Sequence, residues 1–532
     1  MSATAEVTMQ ARLHFSASRL LQGAEEFTNR FAPAGVCVFV LVFAIWAWFA
    51  SRGTRLQFDE LLEISAASAP SNHQVLSYLA SGVDFNPPLS HFVVRGSMRL
   101  FGDTELAARL PAFLGVIILL MCLYAFVARM FSRSYSIVAI LTILCLPVRD
   151  YAIQARPYGL MLGFSGLTLI VYQSITERRR RALALIGLSV CTAAVVASHY
   201  YAILFIGVLL TAELARAWEM KRLDWALLAC TAGPPFTILV LLHDVMRQQH
   251  HQLTHYFSRG NLLSFDHGYD VLAMDPMVYC VALLLIIGVI GYRRGVAFVS
   301  VTTRPGPEPR LNEIVLPLGL LLLPIIGAVV SQFVTHAYVP RYFLPAAIGL
   351  AICICYIARL FSRVVPGVVV LLMVPLALGF GKAVLQEVSH PVEKLPSIAV
   401  LAAEQTPLLF DTPSNYAQIY HYYPALRSNM WVIVDPAASL RYRQYDTDDK
   451  IMLALAEHES AQTISLSGAV RRWPHFRLVP RSADYIWALK CVMNAGSHIE
   501  VKHPFGDSNF IFDVSVSPEK YAQIDVCAEP AR

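Results

Sequence analysis

Charge is scarce in this chain. Only 15% of its 532 residues are Asp, Glu, Lys or Arg, against 56% that are hydrophobic, and the mean hydropathy is +0.52. Soluble domains carry about 25% charged residues, so an ordinary soluble enzyme is excluded and an integral membrane protein is implied. Other absences narrow the class. No Walker motif and no GxGxxG after a strand occurs, which removes the usual nucleotide cradles. The net charge is only +5 and gives no ground for a nucleic-acid partner. Cysteine is uninformative over most of the chain: Cys37, Cys122, Cys145, Cys191, Cys230, Cys280, Cys353 and Cys355 lie in apolar runs, where the thiol acts as a small hydrophobe. Only Cys491 and Cys527 fall in the last part, where an extracytoplasmic setting would allow them to pair.

The apolar residues are gathered in runs of spanning length. Candidate spans lie near 33–50, 107–128, 134–151, 158–175, 182–199, 200–215, 223–242, 271–292, 313–334, 342–358 and 366–385, about eleven in all. The first follows a stretch too long and too polar for a signal peptide and reads as a retained anchor. Lys and Arg set the orientation. With the N-terminus inside, the inner loops hold Arg129 and Arg133; Arg178 to Arg181; Arg216, Lys221 and Arg222; Arg293, Arg294, Arg304 and Arg310; and Arg359 and Arg363. The short outer loops hold only Arg149, Arg156, Arg247, Arg259 and Arg341. This divides the chain into a cytoplasmic N-terminal tail (1–32), a membrane body (33–385) whose first outer loop is 51–106, and an extracytoplasmic domain (386–532). Every inner loop is short, so no inner domain is available for a nucleotide, and group transfer on the outer side must draw on a donor carried in the lipid.

The first outer loop is more elaborate than a connector. It opens QFDELLEIS, placing Asp59 and Glu60 just past the first span. Two readings stand: interfacial charge at a helix end, or a general base at the membrane surface. The loop continues GVDFNPPLSHFVVRGSMRLFGDTELAARLP. Pro87 and Pro88 suit the first turn of a helix, and Leu89, Phe92, Val93, Met98 and Leu100 among Arg95 and Arg99 predict an amphipathic interfacial helix.

The order of DE, D-x-N-P-P-L and F-G-x-x-E-x-x-x-R-L-P resembles the GT-C superfamily of membrane glycosyltransferases. It is nearest the protein O-mannosyltransferase-like branch, which includes lipid A aminoarabinose and rhizobial lipopolysaccharide transferases. IQARPYGL (Ile153 to Leu160), SHYYAILF (Ser198 to Phe205) and YVPRYFLP (Tyr338 to Pro345) resemble three later family motifs, in order, across about residues 50–360. Gln154 stands where the family commonly has Glu, and Asn86 where it has His. The resemblance implies a polytopic α-helical GT-C fold and an inverting glycosyltransferase, hexosyl or pentosyl, that draws on a polyprenyl-phosphate sugar. The acceptor is a hydroxyl of a glycan, lipid or protein, and the setting is the inner (plasma) membrane. The leaving group, a phosphate, needs cationic neighbours rather than a general acid.

By that match Asp59 is the candidate base, with Glu60 sharing or orienting. Asp84 is a candidate acceptor ligand, with loop ordering or helix capping as the alternative. Arg156 with Tyr158, and Arg341 with Tyr342, are candidates for the donor phosphate; against them stand an ion pair of Arg156 near Arg149 and Asp150, and snorkelling of Arg341. His199 and Tyr200 are candidate substrate contacts, or packing residues. No cofactor is indicated. A divalent cation is compatible with the chemistry but not signalled: in HDVMRQQHHQLTH, His251 and His255 share a helix face, yet the glutamate of HExxH is absent.

From about 395 the pattern changes to short apolar runs between turn signals. LLF before Asp411, WVIV before Asp435, IEV after His498 and FIFDVSV near 510–516 predict strands, and 414–423, 448–458 and 482–494 predict helices. A small, mostly parallel α/β domain follows. Tyr416, Tyr420, Tyr422 and Tyr423 suit its core or a sugar platform. The competing function is a transporter or flippase of a lipid-linked glycan, but no internal repeat is visible and the notable charges sit at helix ends.

Overall fold

The computed structural model describes residues 3–177, 180–252, 255, 256, 258, 260, 262–293, 309–362, 364–389, 406–459, 461–480, 487–505 and 509–528. Arg178, Arg179, Arg259, Arg294, Arg304 and Arg363, the beginning of the tail and the first residues of the helix expected over 482–494 lie outside them. Two compact units form, each from three segments. The first is Met1–Gly53, Arg109–Val240 and Gly260–Pro391; the second is Thr54–Ala108, Leu241–Arg259 and Val392–Arg532.

The first unit is the body of a multi-pass membrane protein. Among the described residues, six helices are long and apolar enough to cross a bilayer: Arg19–Gly53, Glu105–Met130, Tyr158–Thr176, Arg181–Ser198, Tyr200–Met220 and Val368–Ser389. Four further apolar stretches are helix pairs bent sharply at a short break, and Ala346–Phe361 is a shorter apolar helix. Each stretch expected from the sequence lies on one of these elements.

Small residues set how closely two of these helices approach. A Cβ on Gly159 would lie 2.3 Å from the carbonyl oxygen of Ala112, and one on Gly115 would lie 2.1 Å from the carbonyl oxygen of Gly159. Between helices that gain nothing from expelling water in lipid, such backbone contact is the available source of attraction. It fixes the start of Tyr158–Thr176 against Glu105–Met130.

Several charged side chains of the unit pair near helix ends. At one end Arg181 binds both oxygens of Asp224 at 2.7 and 2.8 Å. There Arg216 also pairs with Glu213 at 2.6 Å. The start of Arg181–Ser198 therefore meets the turn around Asp224.

The second unit is built on a six-stranded sheet. Its strands are β1 (Leu408–Phe410), β2 (Met430–Ile433), β3 (Thr463–Ile464), β4 (His475–Val479), β5 (His498–Phe505) and β6 (Asn509–Ser515), in the order β3-β2-β1-β4-β6-β5. The pairs β2–β3, β1–β2 and β1–β4 are parallel, and β4–β6 and β5–β6 antiparallel. Strands β3 and β4 are additions to the sequence-based expectation. β3 has only two residues, and β4 carries Arg477 in its middle, buried and paired with Asp513 at 3.0 Å.

Side chains alternate across the sheet as the pleat demands. Leu408 and Phe410 enter one core and Leu409 the other. The first of these cores is completed by Leu62, Ala66, Val75, Tyr78 and Leu79 of the first loop. That loop forms the helices Phe58–Ser68, Asn72–Ser81 and Leu89–Phe101. The last starts at Leu89 with Pro88 as its N-cap, so the two prolines precede the first turn instead of lying in it, and Arg95 is buried in the unit while Leu100 is exposed. Tyr416 is a core residue, and the Tyr422 hydroxyl donates to Glu105 at 2.5 Å and accepts the Leu56 N–H at 3.0 Å.

Cys491 and Cys527 form a disulfide across 36 residues, joining Trp487–Asn494 to Tyr521–Ala528.

Two stability predictions follow from these contacts. Gly159→Val drives a side chain into backbone that cannot yield, so it lowers stability in detergent by about 2–3 kcal/mol or more. Gly207→Ala, which has nothing within 4 Å, leaves the thermal midpoint nearly unchanged. Separately, Cys491→Ser/Cys527→Ser opens the closed loop and lowers the stability of the tail by about 3–4 kcal/mol. Reductant should bring the parent chain to the same midpoint and not move the variant.

Candidate active site

Three motifs far apart in sequence converge within the first unit. Tyr158 opens the helix Tyr158–Thr176 directly after Pro157. Its side chain is 1% exposed, and the Arg341 Nε–H donates to its hydroxyl at 2.9 Å across 183 residues. His199 ends the helix Arg181–Ser198 and is buried. Its ring lies 5.3 Å from that of Tyr158 and 4.8 Å from that of Tyr342. The Tyr201 N–H donates to His199 Nδ1 at 3.2 Å. That nitrogen is therefore an acceptor, which leaves the ring's proton on Nε2.

Tyr201, not singled out from the sequence, holds the arrangement together. Its ring lies 4.6 Å from that of Tyr342, tilted by 37°, and its hydroxyl bonds Thr335 and the Ala337 carbonyl. This ties the start of the 200–220 helix to the segment that leads into Arg341. The doubled tyrosine of SHYY was the available signal. Tyr200 is half-buried beside it. Arg156 is buried two residues before Tyr158, its N–H on the Gln154 carbonyl at 2.7 Å. Nearby, Arg149 and Asp150 pair at 3.2 Å.

A guanidinium held through Nε has its planar fork turned in one direction. Arginine with this constraint is suited to two-point binding of a phosphate. The neighbouring rings lower the local polarity, which strengthens any charge interaction there.

The candidate acids lie in the second unit. Asp59 is half-buried in the first turn of Phe58–Ser68, where a negative charge meets the helix dipole favourably. Glu60 is 1% exposed and accepts the Gln57 N–H at 3.0 Å, closing a capping box. Asp59 and Glu60 thus have different surroundings despite being adjacent. The far end of the same helix is anchored by buried Arg95, which donates to the carbonyls of Ala67, Ala69 and Pro70.

Asp84 orders its own loop, accepting the Asn86 N–H at 3.1 Å and the Asn86 side-chain amide at 2.7 Å. It also belongs to a buried group that the sequence reading passed over. His91 Nε2 lies 3.4 Å from Glu63 Oε2 and 3.5 Å from Asp84 Oδ2. The one sequence signal was Glu63, a helical turn beyond Asp59. Of the histidines considered as metal ligands, His255 faces Asp446 at 3.8 Å, and the side chain of His251 lies outside the described ones.

The Arg341–Tyr158 bond is testable by itself. A double-mutant cycle with Arg341→Lys and Tyr158→Phe should give a coupling of about 1–3 kcal/mol in unfolding, as for hydrogen bonds to charged groups. A coupling near zero would show that the contact does not hold the segments together.

Comparison with known proteins agrees with this architecture. Residues 86–239 match the family model for dolichyl-phosphate-mannose-protein mannosyltransferase. The chain is similar in structure to apo ArnT from Cupriavidus metallidurans, with a TM-score of 0.53 at 14% identity, covering 94% of this chain and 100% of that one. For ArnT of the same organism bound to undecaprenyl phosphate the TM-score is 0.52 at 15% identity, with 93% and 99% covered. No curated protein sequence matches the chain. At such identity the likeness is one of fold.

Proposed function

We propose that this chain, which has the fold of the GT-C membrane glycosyltransferases, is an inverting glycosyltransferase. It moves a sugar from a polyprenyl-phosphate donor to an acceptor hydroxyl at the extracytoplasmic face of the inner membrane. The observation that carries the reading is the meeting of Tyr158, His199, Arg341 and Tyr342, one cluster drawn from three separate motifs. The scarcity of Lys and Arg in the loops that bear these motifs supports their extracytoplasmic side, with the N-terminus cytoplasmic.

The reaction needs few parts. The acceptor oxygen attacks the anomeric carbon from the face opposite the phosphate, and the bond from that carbon to the phosphate oxygen breaks. The bonding electrons leave with the polyprenyl phosphate, whose added negative charge Arg341 and Arg156 stabilise. The acceptor's proton passes to a carboxylate. Asp59 is assigned that role, because Glu60 is already committed to capping its helix. Attack and departure on opposite faces invert the anomeric centre. Tyr158, Tyr342, His199 and Tyr200 shape the pocket around the sugar and phosphate, and the acceptor is a hydroxyl of a glycan, lipid or protein.

The test is reconstitution with polyprenyl-phosphate sugars and measurement of polyprenyl phosphate release. Asp59→Asn should lower kcat about 10²- to 10⁴-fold, and Arg341→Lys about tenfold or more, with both proteins folded. Unchanged release in Asp59→Asn removes the base assignment. Movement of intact donor across the bilayer without bond cleavage favours a flippase.

A further inference from the structure

We infer that Glu63, Asp84 and His91 of the second unit form a binding site for a divalent cation of the zinc class. Their ligand atoms lie within 4.8 Å of one another. The side chains of Glu63 and His91 are 0% exposed and that of Asp84 4%. Three backbone elements supply them: Glu63 from Phe58–Ser68, Asp84 from the turn before Pro87, and His91 from the first turn of Leu89–Phe101.

Distance separates this reading from an ion triad. An imidazolium proton shared with a carboxylate brings nitrogen and oxygen to about 2.7–2.9 Å. Here the single Nε2 is nearly equidistant from two oxygens, at 3.4 and 3.5 Å, too far for a strong bond to either. Ligands about 2.1 Å from a central ion in a tetrahedral site stand about 3.4 Å apart, the spacing of His91 from each carboxylate, and the two carboxylates lie within 4.8 Å of each other. Two carboxylates and one imidazole are a donor set that suits a divalent cation.

The surrounding bonds suit ligands held in place. The second oxygen of Asp84, Oδ1, takes both Asn86 donors, which turns Oδ2 toward His91. The Ser90 hydroxyl lies 3.4 Å from His91 Nδ1. Outer partners of this kind orient the ligands of metal centres. One imidazole and two carboxylates, with a fourth position for water, fit zinc better than calcium, which takes six to eight oxygens at about 2.3–2.6 Å.

Glu63 stands one helical turn from Asp59 on the same face. A bound ion would therefore stiffen the turn that carries the proposed base, and only this consequence rests on the glycosyltransferase reading.

Binding is measured without catalysis. The full chain, purified in detergent and stripped with chelator, is titrated with zinc and its metal content determined. One zinc per chain is expected, with Glu63→Gln and His91→Gln each weakening binding at least about 100-fold while remaining monodisperse. X-ray absorption of the zinc-loaded parent should show one histidine nitrogen with oxygen ligands. That measurement decides the matter even if both variants misfold. Failure to retain stoichiometric zinc, sulfur ligation by a cysteine, or undiminished affinity in the folded variants overturns the site.

Discussion

A guanidinium within an apolar body must be held by something, and in the first unit Arg341 is held by the hydroxyl of Tyr158. Most of the candidate site depends on that bond. Tyr158 can serve only because its helix begins hard against Glu105–Met130, where Gly159 and Gly115 let backbone touch backbone. Arg341 can reach it only because Tyr201 binds the segment ahead of it through Thr335 and Ala337. His199 and Tyr342 then fill the space between. Close helix packing, usually discussed as a source of membrane-protein stability, here sets the direction of a charged side chain.

The second unit treats its acids unequally, and the inequality is informative. Asp59, Glu60 and Glu63 lie within five residues of one another on one helix. Glu60 spends its carboxylate on the helix start. Glu63 turns into the interior toward His91 and Asp84. Asp59 remains half-buried at the first turn. Where charge is scarce and desolvation expensive, neighbouring carboxylates with similar intrinsic chemistry are separated into different tasks by how deeply each is buried and which partners it meets.

The apolar spans of the membrane body were legible in the linear chain. A bilayer imposes a minimum apolar length on every crossing, and that is a local property. The tail was legible in part. Strands β1, β2, β5 and β6 announce themselves as apolar runs between turn signals. β4 did not, because Arg477 interrupts it and is acceptable there only through Asp513 on the paired strand. Pairing of Cys491 with Cys527 was one option among others until the ends of two helices were seen side by side.

What tertiary structure alone decided is which distant residues share a volume. Nothing local states that Leu62 and Val75 complete a core begun by Leu408 and Phe410, or that a histidine after two prolines faces a glutamate nearly thirty residues earlier. Nor does anything local state that Arg341 meets Tyr158 across 183 residues. Such meetings follow from helix crossings and sheet order, in which every segment constrains the others. The sequence by itself determined a membrane body, its motifs and an α/β tail, because hydrophobic length and charge act residue by residue. The folded chain determined the site, because a site is a relation among side chains that only packing brings together.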